Sequence, residues 1–424
     1  MNVRLKNARV MTMEQGCRIF SDGEVEVRGS KIIYCGAMRS GFSPAYNCRE
    51  LDLKGSLIMP GFKNAHTHSP MSFLRSFADD LPLDRWLHEK IFPIEAKLTS
   101  EDIYHLTKLS FLEYLTSGIT ACFDMYFEPA AIVRAAEDFG FRTVLCGIGD
   151  PVVQEECFLR FNEGNPLVSY ILGFHAEYTT GEETLMQVAA LAHKHKAPVY
   201  AHISETKAEV VGCLTRHRLT PVMYLDSLGM FDYGGGGFHC VYLTDEEMDV
   251  FARKGLFAVT NPASNLKLAS GIAQLSRLDG KGVRIAIGTD GPASNNALDF
   301  FREMYLSTAL QKVVTSDASA MPAEKVLEAA TTGGAAAMGL TCCDVLAVGK
   351  AADLVVIDLN RPNMQPISNI AKNLVYSGSK ENVRLTMING EILYENGSFC
   401  LKNDTAAAIY RKAQDILERL GGAD

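Results

Sequence analysis

After about residue 57, short apolar runs of strand length alternate with segments whose apolar residues recur at helical spacing. The runs are "SLIMPGFKNAHTH", "GITACFDMY", "RTVLCGIG", "YILGFHAEY", "APVYAHISE", "GGFHCVYL", "LFAVTNPAS" and "VRIAIGTDG". Between them, segments such as "GEETLMQVAALAHKHK" and "TDEEMDVFARKG" carry apolar residues at i, i+3 and i+4 and acidic residues near their starts, where a helix dipole favours them. Eight strands each followed by a helix specify an α/β fold, a closed parallel (β/α)8 barrel of TIM type, over residues 58–344. A doubly wound open sheet is the alternative, but no Gly-x-Gly-x-x-Gly follows the first strand. The ends read differently. "VRLKNARVMTM" and "GEVEVRGSKIIYCG" show β-type alternation broken by turns, and strand texture returns in "VGKAADLVVIDLN" and "NVRLTMINGEILYENG". Residues 1–57 and 345–424 are therefore predicted to form one small β-sandwich domain with a C-terminal helix.

Composition narrows the partners. With 47% hydrophobic and 21% charged residues the chain is an ordinary globular protein with ample core. Its 41 basic and 50 acidic residues give −9, with no basic run, which argues against nucleic acid and anionic membrane and for a small-molecule substrate. Eleven cysteines, scattered and without a Cys-x-x-Cys spacing, read as reduced thiols of a cytoplasmic protein, and the neighbours Cys342 and Cys343 as a loop coincidence. The first residues lack the apolar core of a signal peptide, and no apolar stretch reaches the roughly 18 residues of a membrane span. The glycines at 234–237 do not form a phosphate loop, because a strand follows them; they either lengthen a loop or admit a close neighbour.

The candidate chemistry sits where a barrel enzyme needs it, at the carboxyl ends of strands. His66 and His68 end the first predicted strand, His175 the fourth, His202 the fifth, His239 the sixth and Asp290 the eighth. Ten histidines in 424 residues give about 0.2 His-x-His pairs by chance, so the pair alone is weak. Alternation along a strand nevertheless turns both imidazoles to one side. His66, His68, His202 and Asp290 make an N/O donor set suited to one Zn²⁺, with Fe²⁺ also fitting, and leave room for a water made acidic by the ion. Glu205, three residues beyond His202, is placed to move a proton to a substrate nitrogen, and His239 to hold the attacking water. Each residue also has an ordinary explanation. His175 alone is a satisfied core histidine, Glu205 alone a helix-start carboxylate, and His193, His195 and His217 belong to solvated helix faces. Independent coincidences would not all fall at strand ends.

Taken together, "PGFKNAHTHSPMSFLRSFADDLPLDRWLHEKIFPIEAKLT", "AHISET", "HCVYLTDEE", "NPASNLKL", "IGTDGPASNN" and "GKAADLVVIDL" resemble the amidohydrolase superfamily. Within it the chain is similar to the methylthioadenosine/S-adenosylhomocysteine deaminase branch, a neighbour of triazine hydrolases and guanine deaminases. The resemblance spans nearly the whole chain. It implies a distorted barrel, a sandwich from both termini, and a single metal ion held by His66, His68, His202 and Asp290. It also implies Glu205 as proton shuttle, His239 beside the water, Glu95 on ribose hydroxyls and His175 on the nucleoside. Trp86, the only tryptophan, either walls the pocket or simply packs, and Ser294 in the "IGTDGPASNN" motif is a further candidate contact. A homo-oligomer is compatible with the family and unsupported by the residues.

Two positions depart from the branch. Cys146 stands where members that accept S-adenosylhomocysteine carry an arginine for the amino-acid carboxylate, and Arg160 has no clear counterpart. Glu177 follows His175 and Ala176 and would place an acid near the pocket, repelling such a carboxylate. The expectation is therefore hydrolytic deamination of an uncharged aminopurine nucleoside of the adenosine or methylthioadenosine type. The alternatives are another amino-heterocycle (guanine, pterin or cytosine type) and a triazine or cyclic amide on the same metal. A non-catalytic barrel is disfavoured because every ligand and the acid are present.

Overall fold

The computed structural model describes residues 2–15, 17–41 and 47–421; the outermost residues of the predicted sandwich spans, and 42–46 within them, lie outside the described set. All eight predicted barrel strands are present: Phe62–Thr67, Ile119–Met125, Arg142–Cys146, Val168–Ala176, Val199–Ile203, Gly235–His239, Phe257–Thr260 and Arg284–Ile287. They lie in sequence order in one parallel sheet. Helices cover the outside, so both faces of most strands are buried, which is why they read as unbroken apolar runs rather than alternating ones. The ring closes through backbone and side chain together. The amides of Thr289 and Asp290 both donate to the His66 carbonyl, at 3.1 and 3.0 Å. Asn64 completes the seam, its Oδ1 accepting from the Thr289 amide and its Nδ2 donating to the Thr289 hydroxyl.

The barrel interior is filled by a layer that includes Phe123, Val144, Cys146, Ile171, Tyr200 and Phe238. The helices are stopped and started by their own chemistry. Asp245–Lys254 begins with a capping box between Thr244 and Glu247 and ends at Gly255 in the left-handed region.

The chain ends build a second, nine-stranded mixed sheet. Val3, Leu5, Val25 and Val27 from its N-terminal strands share one core with Leu354, Val356, Leu385 and Met387 from its C-terminal strands. Two details differ from the sequence reading. "SLIMPGFKNAHTH" is two strands: Leu57–Pro60 pairs with Leu354–Ile357 in the terminal sheet, and only after Gly61 does the barrel begin. The C-terminal helix, Ala406–Leu420, packs on the barrel helix Ser100–Thr116, with Arg419 bonded to Asp102 at 2.5 Å. Its buried stripe of Ile409, Ala413, Ile416 and Leu420 needs an apolar partner, and that helix supplies one. No described helix is long and apolar enough to cross a membrane.

Candidate active site

Four histidines and an aspartate converge at the carboxyl end of the barrel. The ligand atoms of His66, His202 and His239 lie within 4.8 Å of one another, as do those of His66, His68 and Asp290. Asp290 Oδ1 stands 3.3 Å from His68 Nε2 and 3.5 Å from His66 Nε2. Three of the rings are held in one tautomer. The Nδ1–H of His68 donates to the Met125 carbonyl and that of His202 to the His175 carbonyl, each at 2.6 Å, and His239 donates to Asn265 Oδ1 at 2.7 Å. Each therefore turns its Nε2 toward the centre, the arrangement found behind metal-bound histidines.

His66 decides what the centre is for. Its ring is wholly buried, stacked on Phe238 at 3.8 Å between centroids, and neither nitrogen has a hydrogen-bond partner. Burial also pushes its pKa down to about 3, so it is a neutral base. A buried, unsatisfied, neutral imidazole is costly unless a cation takes its lone pair. Burial works to raise the Asp290 carboxyl, but His66 and His68 outweigh it and hold it well below the usual range. Burial works against a charged His68 too, but Asp290 holds that ring up at about 8, as a proton waiting for a cation to replace it. The donor set fits one divalent ion.

Glu205 is the acid beside this centre. Its Oε2 lies 3.8 Å from His239 Nε2, Ser270 donates to its other oxygen at 3.1 Å, and burial raises its pKa. The turn that carries it is fixed by Glu209, whose carboxylate accepts the amides of Ser204 and Glu205 at 2.6 and 2.8 Å. Asp290 is fixed in the same way, receiving the hydroxyls of Ser264 and Ser294 on Oδ2 at 2.6 and 2.8 Å. His239 and Asp290 both occupy the left-handed backbone region, at φ 71° and 60°, a strain that neither side chain relieves by itself.

A cavity opens over the centre. His175, Trp86, Ser294 and Glu95 line it together with His68, His202, His239 and Asp290. Glu95 receives the Tyr126 hydroxyl, and burial lifts its pKa to about 7. The His175 ring bonds Thr179 at 2.7 Å.

The two departures identified in the sequence are corrected here. Cys146 lies in the barrel core under the cavity, its thiol directed at the Tyr200 carbonyl. Glu177 is buried and turned away, accepting from Arg216 at 2.5 Å and His217 at 2.9 Å. Two basic partners leave it no reason to face the substrate, and His217, stacked on Tyr224, is no solvated surface residue. Ser264, Asn265 and Ser270 were not singled out, although all three lie in or just after "NPASNLKL"; their roles depend on the side chains they meet across the barrel.

The sequence pattern of the amidohydrolase family matches residues 57–393. The chain belongs to this family. This amidohydrolase is 38% identical over 407 residues, 93% of each chain, to a 5-methylthioadenosine/S-adenosylhomocysteine deaminase of Pelotomaculum thermopropionicum. It is 35% identical over 433 residues, 99% of each chain, to a 5′-deoxyadenosine deaminase of Methanococcoides burtonii. Among solved structures, an adenosine deaminase of Xanthomonas campestris with bound zinc superposes with a TM-score of 0.93 at 31% identity, covering 99% of this amidohydrolase and 98% of that chain.

Proposed function

We propose that this amidohydrolase is a hydrolase of cyclic amidine C–N bonds that removes the amino group of an adenosine-type nucleoside as ammonia, with zinc as its ion. The observation that carries the reading is Glu205. A buried acid whose pKa burial raises stands with its Oε2 3.8 Å from His239 Nε2, beside a His and Asp cluster that fits one divalent ion. Ammonia is a poor leaving group unless protonated, and Glu205 is the group in reach to protonate it. A divalent ion bound by His66, His68, His202 and Asp290 makes water acidic enough to attack near neutral pH.

The side chains then divide the work. Glu205 gives its proton to the ring nitrogen next to the amino-bearing carbon, regains one from the new hydroxyl as the carbonyl forms, gives that one to the departing amine, and is restored by the proton that Asp290 has taken from the water. Asp290, its Oδ2 held by Ser264 and Ser294, takes the proton that the attacking water loses. His239, fixed by Asn265 and 4.0 Å from Asp290, is placed to polarise that water. Of the lining carboxylates, Glu95 is the one that is neither in the His and Asp cluster nor beside His239, and a vicinal diol is the part of a nucleoside that a carboxylate accepts from. His175 and Trp86 line the space between as walls for the purine.

The test is ammonia release by zinc-loaded, iron-loaded and chelated protein on adenosine, 5′-deoxyadenosine, methylthioadenosine, guanine and cytosine. Turnover of the adenosines that disappears on chelation and returns with zinc is the expected result. Glu205→Gln is expected to keep its metal, measured by elemental analysis, while losing about 10²- to 10⁴-fold in kcat. Turnover of guanine or cytosine with silence on every adenosine would replace the nucleoside assignment.

A further inference from the structure

Beyond Glu95 the cavity does not end. Phe92, on the same helical turn as Glu95, together with Phe127, Ile148 and His175, lines both the cavity and an adjoining open hollow. The other walls of that hollow are Thr179, Thr180, Thr184, the backbone of Gly149 and Gly181, and the carboxylate of Asp150. If the reacting ring end of the nucleoside is at Glu205 and its ribose at Glu95, the 5′ carbon points into this hollow. The inference rests on that reading of the site.

We infer that the hollow is the subsite for the 5′ substituent and that Asp150 makes it a charge filter, admitting neutral or cationic groups and rejecting anionic ones. Asp150 is solvent-exposed, is the single charged residue lining the hollow, and has no ion pair among the described residues. No lysine or arginine lines the hollow. Lys207 and Arg216 line a separate cleft that joins the cavity at Leu83, Leu87, Tyr178 and Leu268, on the side of Ser270 and Glu209, and Arg216 is already engaged by Glu177. A phosphate or amino-acid carboxylate on the 5′ carbon would therefore meet a carboxylate and three threonine side chains, with no lysine or arginine among the lining residues. A 5′ ammonium would meet an acceptor of opposite charge. Cys146 and Glu177 have no part in this selectivity, since neither reaches the cavity.

Asp150 also caps the helix Pro151–Phe161 by accepting the Val152 amide at 2.9 Å. Asn caps as well as Asp, so Asp150→Asn removes the charge and keeps the cap. The experiment compares kcat/KM of wild type and Asp150→Asn for adenosine, 5′-amino-5′-deoxyadenosine and adenosine 5′-monophosphate at one ionic strength. The wild type is expected to prefer the amine and to disfavour the phosphate, and Asp150→Asn to shrink the amine-to-phosphate ratio by about tenfold while adenosine itself changes little. A purely structural role for Asp150 would lower all three substrates together and leave the ratio alone. An unchanged ratio, or wild-type turnover of the monophosphate as fast as of adenosine, overturns the filter while leaving the deaminase reading intact. Silence on adenosine as well would overturn both.

Discussion

A glutamate in water gives up its proton near 4.5, whereas Glu95, buried against the Tyr126 hydroxyl, keeps its own to about 7. The protonated acid is a poor acceptor for a diol and the carboxylate a good one, so the proposed ribose contact strengthens as pH rises through that value. Between about pH 6 and pH 8, kcat/KM for adenosine is expected to climb by about tenfold from this source, and a pH profile of Glu95→Gln is expected to lack that limb. A limb that persists in the variant would assign it to another group. At this scale the sequence is informative where geometry is forced. His66 and His68, two apart on one strand, must turn the same way, and the structure places both at the metal cluster. Glu177 is the opposite case. A strand-end acid looks the same in a sequence whether it faces a cavity or a helix, and only the fold shows that Arg216 and His217 stand behind it. Cys146 is one residue of a barrel interior that shares its strand with residues nearer the mouth, a matter of depth that spacing does not encode.

The glycine run that opens the sixth barrel strand has a steric reason. A Cβ on Gly235, itself at φ 128°, would lie 1.9 Å from the Val199 carbonyl oxygen, and one on Gly236 would lie 2.4 Å from that of Phe257 and 2.6 Å from the Tyr200 ring. The neighbours on both sides approach too closely for any side chain, and this strand carries His239 at its end. Gly236→Ala is expected to destabilise the protein by about 1–3 kcal/mol, read from the urea midpoint, and to reduce metal content by displacing His239 and its neighbour His202. Wild-type metal content and stability in that variant would show that the strand has slack. The barrel strands were legible because burial on both faces leaves an apolar run bounded by turns. The split at Gly61 was not, because a strand that leaves one sheet and enters another is apolar on both sides of the break. The C-terminal helix was legible as an element, but its partner, the helix Ser100–Thr116, is fixed only by the three-dimensional path of the chain.

For the whole molecule the joint between barrel and terminal sheet matters most. Arg142, at the start of the third barrel strand, donates to both oxygens of Asp353, at 2.5 and 3.0 Å, and Asp353 also accepts the Asn389 amide, all in the dry interior. Burial alone would raise the Asp353 carboxyl, but Arg142 outweighs it and holds the pKa below the ordinary 3.8. The pair therefore stabilises the fold fully above that value, and its contribution is lost as pH falls through the depressed one. Asp353→Asn leaves a buried guanidinium without its counter-charge and is expected to cost about 3–5 kcal/mol at neutral pH, with a shallower loss of stability on acidification. Equal urea midpoints for variant and wild type would show that water reaches Arg142.

The seam at which Thr289 and Asp290 meet the His66 carbonyl joins the first strand of the ring to the last, and the metal ligands sit on both sides of it. His66 and His68 leave the ribosome long before Asp290, and until the final strand docks the histidine donors lack their carboxylate. The loop between them is nearly the whole barrel, among the longest closures the chain must make. The donor set is thus complete only in the closed ring, and an ion that binds it favours the closed ring over every open one.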